Sequence, residues 1–110
     1  MLMVSGGMAV SLSDSTVTGE GESMGSPIEV TSETVTATVA GGLAPYTYAW
    51  TRVIGDTFTI TAPTSATTAF NDTQTPDLIL TGTYRCTVTD ATMKTAQADC
   101  TVTLTFTDIS

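Results

Sequence analysis

The groups in this chain that could carry chemistry are two cysteines, eleven carboxylates and a large set of threonines; histidine is absent. Without imidazole, His-based triads and His-bearing metal sites are excluded. Cys86 and Cys100, read as neighbours in a core, lack the activating base that a thiol nucleophile requires. A pair of carboxylates for acid–base work could be sought among Glu20, Glu22, Asp72 and Asp77, but scattered loop acids read as solvated. Asp14, Asp56, Asp90, Asp99 and Asp108 add hard oxygen ligands suited to calcium. None of the acids has the dense Asp-x-Asp spacing of a dedicated cation loop. The expectation is a non-enzymatic chain with no cofactor and no metal.

Threonine makes up about a quarter of the residues, far above ordinary usage. It recurs at every second position in Thr34, Thr36 and Thr38, in Thr57, Thr59 and Thr61, and in Thr101, Thr103, Thr105 and Thr107. Such arrays resemble the flat faces of ice-binding proteins, yet sandwich strands twist and would misalign the hydroxyls. The plainer reading is a solvated β-surface, because a β-branched residue suits a pleated strand. With few Lys or Arg to blunt the sheet edges, the same surface suits edge or face pairing in an assembly. Tyr46 and Tyr48 could stack on sugars if they faced outward, but they share the parity of Trp50, which places them in the core.

The elements that position these groups follow from the composition. The 110 residues, 41% hydrophobic and 13% charged, make one domain with a single core. A formal charge of −8 would repel phosphate backbones, so nucleic acid is not an expected partner. No run is long enough for a membrane span, so membrane insertion is not expected. The start, Met1-Leu2-Met3-Val4-Ser5-Gly6-Gly7, lacks the basic region and long apolar core of a signal peptide, which points to a protein made in a cytoplasm. Residues 1–7 read as an apolar arm on a flexible joint: either a disordered terminus, or an arm in which Met1, Leu2, Met3 and Val4 dock on a neighbouring subunit.

From residue 8 to residue 110 the apolar pattern has the period of strands. Tyr84, Cys86 and Val88 share one face; Ala98, Cys100, Val102, Leu104 and Phe106 share another. Folding these two strands about Met93 places Cys86 opposite Cys100, so the pair is either a cross-strand disulfide or two small buried thiols. Upstream, strands are expected at residues 8–12, 28–30, 34–39, 46–50, 57–61 and 66–70. Residues 19–27 and 71–77 read as polar loops, and the turns at Gly41, Gly42, Leu43 and at Asp90 to Lys94 as exposed. The sum is an all-β sandwich of about seven to eight short strands, anchored by Trp50, Tyr84, Cys86 and Cys100.

With Gly82-Thr83-Tyr84-Arg85-Cys86-Thr87-Val88 and Trp50 in place, the chain resembles an immunoglobulin-like Greek-key β-sandwich. The resemblance implies that the Tyr84 hydroxyl bonds back to upstream backbone and that Trp50 is the core Trp of the third strand. Two departures stand out: the second-strand Cys is missing, with Ala37 or Val39 in its place, and Leu80 occupies the position of an expected Asp. The stretch Gly41-Gly42-Leu43-Ala44-Pro45-Tyr46-Thr47-Tyr48-Ala49-Trp50 is similar to bacterial PKD-like and Ig-like modules. Together with the Thr-rich, acidic chain it looks most like the Ig-like domains of tailed-phage structural proteins. That resemblance implies a virion accessory protein of head or tail, assembled in the host cytoplasm. Its implied partners are capsid or tail subunits, further copies of itself, and host-surface glycans, with residues Gly41, Gly42, Leu43, Asp90 and Lys94 exposed for contact. The alternative is a carbohydrate-binding or adhesion module of a bacterial surface protein.

Overall fold

A computed structural model describes residues 7–110, which form ten strands and no helix. They are β1 (Ala9–Leu12), β2 (Thr16–Ser23), β3 (Ile28–Thr31), β4 (Val35–Ala40), β5 (Thr47–Gly55), β6 (Thr59–Ile60), β7 (Thr67–Thr68), β8 (Phe70–Gln74), β9 (Leu78–Thr89) and β10 (Thr95–Asp108). One layer is the sheet β2-β10-β9-β5; the other comprises β1-β4-β7 and β3-β8-β6. The second layer is split because β3–β4 and β7–β8 each break at one point. Thr31 pairs with Asn71, whereas Val35 pairs with Thr68, a slip of one residue. Ser32 fills the break: its amide donates to Phe70 O at 2.8 Å and its hydroxyl accepts from Phe70 N at 3.0 Å.

The layers are pressed together by alternate residues of the long strands. Tyr84, Cys86, Val88, Cys100, Val102, Leu104 and Phe106 are at most 2% exposed and face Val30, Val35, Ala37 and Phe70 of the other layer. Fully burying a side chain of this size contributes about 1.5–3 kcal/mol. An aromatic chain crosses the core. Trp50 meets Phe70 edge-on with centroids 6.1 Å apart, Phe70 lies 4.8 Å from Tyr84, and Phe58 stacks on Tyr84 at 5.8 Å. Trp50 Nε1–H donates to Ser65 O at 2.7 Å, so the indole is buried without an orphan donor. The Tyr84 hydroxyl accepts from Phe58 N at 2.6 Å and donates to Asp56 O at 3.0 Å, the expected corner. Asp56 also supplies the acid that Leu80 lacks: its carboxylate accepts from Thr81 N at 2.9 Å.

Four expectations are corrected. Cys86 pairs in register with Ala98, and Cys100 with Tyr84, so the cysteines are not opposite each other; both are buried free thiols. The turn carries two residues fewer than a fold centred on Met93 would need, and a shift of two preserves which face is buried. Residues 19–23, expected in a loop, belong to β2, which pairs in parallel with β10 from Thr16↔Thr101 to Ser23↔Asp108. Gly19 and Gly21 fit there because β3 lies close: a Cβ at Gly19 would stand 2.7 Å from Thr31 O, and one at Gly21 2.7 Å from Val30 Cγ2. Residues 71–74, also expected in a loop, are strand β8 against β3. The stretch expected as a strand at 57–61 shortens to Thr59–Ile60.

Candidate functional site

Two loops meet at one end of the sandwich, the 41–46 turn between β4 and β5 and the 90–94 turn between β9 and β10. Their junction is the carboxylate of Asp90. Its Oδ1 accepts from Thr92 N (2.8 Å), Thr92 Oγ1 (2.8 Å) and Lys94 N (2.9 Å), and its Oδ2 accepts across the gap from Leu43 N (3.1 Å). Ala91 N returns a bond to Leu43 O at 2.8 Å, so each loop holds the other. Gly42, at φ +72°, leaves room for the carboxylate; a Cβ there would stand 3.1 Å from Asp90 Oδ2 and 2.9 Å from Met8 Sδ. Met93 takes the left-handed conformation at φ 71°, which closes the second turn.

Asp90 is therefore not the exposed contact expected from sequence. It is 4% exposed and sits beneath the tip, whereas Gly41, Gly42, Leu43 and Lys94 lie on the surface as expected. Burial opposes ionisation of Asp90, but the hydrogen bonds from Thr92, Lys94 and Leu43 outweigh it and hold the carboxyl down to about 2. Leu43 and Met93 project from this base, 58% and 79% exposed, and Lys94, next to Met93 in the chain, is exposed as well. The Tyr46 hydroxyl donates to Gly41 O at 2.7 Å. Tyr46 and Tyr48 are half-buried and pack on the core, in keeping with their parity. The tip is a braced pair of loops presenting two apolar side chains and one positive charge.

Elsewhere the chemistry is sparse. Burial pushes the thiols of Cys86 and Cys100 up to about 11, so neither is a thiolate at neutral pH. Among the described residues no three His, Cys, Asp or Glu side chains gather closely enough to hold a metal ion. The outer face of the β2-β10-β9-β5 sheet carries cross-strand threonines, Thr16–Thr101–Thr83 and Thr18–Thr103–Thr81. The second of these rows has a hydroxyl contact of 3.3 Å between Thr81 and Thr103. The ion pair of Arg85 with Asp99, at 2.7 Å, interrupts the array. At the end away from the tip, Asp77, Leu78, Ile79, Thr105, Phe106 and Thr107 line a groove of about 390 Å³, with Glu20 and Glu22 on its flank. Met1, Leu2, Met3 and Val4, the expected assembly arm, lie outside the described residues.

Sequence reasoning found both loops but missed their shared anchor and the groove. The Asp90-Ala91-Thr92 order could have signalled the anchor, since an Asp side chain commonly accepts from the amide two residues on. The groove had no comparable signal, because Leu78 and Phe106 come together only through the β9–β10 register.

No family model matches the chain, and no curated protein matches it. Among solved structures, the solution structure of the PKD domain of human KIAA0319 superimposes with a TM-score of 0.58 at 17% identity. The match covers 94% of this chain and 85% of that one. The chain thus has a PKD-like, immunoglobulin-type β-sandwich fold.

Proposed function

We propose that the chain is a non-enzymatic accessory module of a tailed-phage particle, a head or tail decoration that touches the host surface weakly and in many copies. The braced tip is the observation that carries this reading: the Asp90 carboxylate accepts from Leu43, Thr92 and Lys94 and so ties the two loops together, with Met93 exposed between Thr92 and Lys94. Loops fixed before contact lose little conformational freedom on binding, so a small surface can still bind usefully. Many copies on one particle convert feeble single contacts into avidity. The phage assignment is supported by the Gly41-to-Trp50 and Gly82-to-Val88 motifs and by the Thr-rich, acidic composition. Incorporation runs through the Met1–Val4 arm and the sheet edges, with capsid or tail subunits as partners and host-surface glycans as the outward ligand. The protein's location is then the virion.

The test compares particles carrying the native chain with particles carrying Leu43→Ser/Met93→Ser. Both residues are exposed, so folding and incorporation should be unchanged while adsorption to host cells falls several-fold. Unchanged adsorption would remove the tip from the reading. Recovery of the chain with a cell envelope and never with particles would overturn the virion assignment in favour of an adhesion module.

A further inference from the structure

Exposed apolar side chains collect at the pole away from the tip. Leu78 and Ile79 open β9, Met24 sits in the turn after β2, and Ile109 follows β10; they are 39%, 70%, 73% and 54% exposed. Ile109 N donates to Ser23 O at 2.9 Å, which fastens the end of β10 beside the turn that carries Met24. The groove at this pole is lined by the exposed Leu78 and Ile79, with Phe106 buried behind them at 1% exposure; Asp77 also lines it, and Glu20 and Glu22 lie close by. An apolar surface rimmed by charge is the usual mark of a docking site.

The sequence also carries an apolar run outside the described residues, Met1-Leu2-Met3-Val4, followed by Ser5-Gly6-Gly7. Gly7 lies at the tip pole, where its carbonyl abuts Gly41. The residues ahead of Gly7 can span at most about 20 Å when extended. The groove lies at the far end of β9, whose 12 residues alone cover about 40 Å. The run therefore falls short of the groove on its own molecule. It can reach the groove of a copy placed end to end, tip against far pole. The same arrangement brings Lys94, which forms no ion pair among the described residues, against the acids Asp77, Glu20 and Glu22.

We propose that Met1–Val4 of one copy docks in the Leu78–Ile79–Phe106 groove of the next. The contact is heterologous and does not close on itself, so it builds open-ended rows. This inference rests on reading residues 1–4 as an assembly arm, and adds what receives it: a second copy of the same chain.

Sedimentation velocity on the full chain should show oligomers that lengthen with protein concentration. Ile79→Lys, at an exposed position, and deletion of residues 1–7 should each weaken association by at least about tenfold, with Trp50 emission unchanged as the check on folding. Mixed together, the two variants should form one-to-one pairs and stop there, because one keeps only the arm and the other only the groove. A full chain that stays monomeric overturns the inference, while the tip is judged separately by adsorption. If the deletion abolishes association and Ile79→Lys leaves it intact, the groove is wrong but the arm survives. If the deletion changes nothing, arm and groove fall together.

Discussion

Replacing Tyr84 with Phe isolates one hydroxyl in the middle of the fold. The ring keeps its neighbours, Phe58 at 5.8 Å and Phe70 at 4.8 Å, so packing is unchanged. Two hydrogen bonds are lost, and they are unequal. Asp56, whose carbonyl receives the Tyr84 proton, is exposed, and water can replace that bond. Phe58 is 5% exposed, and its amide, 2.6 Å from the hydroxyl, is left without a partner away from water. A buried unsatisfied donor costs about 1–3 kcal/mol, which sets the expected loss near 2 kcal/mol. For a domain of this size that lowers Tm by roughly 10 °C. Thermal unfolding followed by Trp50 fluorescence reads the shift, and amide exchange at Phe58 should lose protection alongside it. Tyr84→Leu, which also removes both ring contacts, should be worse. A Tm drop below about 2 °C for Tyr84→Phe, set against the shift expected from the size scaling, would show that the corner does not hold the β5–β6 connection as described.

Two further outcomes follow from the packing. Gly19→Ala should destabilise by about 1–3 kcal/mol, because its Cβ meets main chain at Thr31 O. Gly21→Ala should cost less, since it meets the movable side chains of Val30 and Ile28; equal Tm losses would contradict the close approach of β3 to β2. Stability should be flat at neutral pH and decline at both extremes. On the acid side Asp90 is held down to about 2, so its contribution is complete above the ordinary carboxylate range and is lost as pH falls through about 2. On the alkaline side burial raises Cys86 and Cys100 to about 11, so stability is complete below the ordinary thiol value and is lost as pH rises through about 11. Thermal scans across pH check both limbs, with Asp90→Asn expected to make the acid limb shallower.

How far the sequence could be read depended on what kind of contact fixed each element. The inner faces of β9 and β10 were legible because Tyr84, Cys86, Val88 and Cys100 through Phe106 alternate without a break, and side-chain burial fixes such strands. Their register was not, because it is set by the length of the 90–94 turn, and that turn is shaped by hydrogen bonds to Asp90. β2 was hidden for a different reason. Its Gly-Glu-Gly-Glu run has almost no apolar residue to bury, and it is a strand because its backbone pairs with β10 while its glycines admit β3. β8 likewise reads as polar beyond Phe70 and is held by main-chain pairing with β3. The tip loops were visible through their Gly and Asp content, but the carboxylate that joins them acts over 47 positions of sequence. Local spacing cannot reveal such a link.

The parallel pairing of β2 with β10 also bears on how the molecule responds to tension. Gly7 lies at the tip pole and Ser110 at the other, so traction on the two ends runs along the strand axes. β2 and β10 would then slide past one another, and the ladder from Thr16↔Thr101 to Ser23↔Asp108 would have to rupture as a block. Hauled apart in this direction, the sandwich yields all at once instead of peeling open rung by rung.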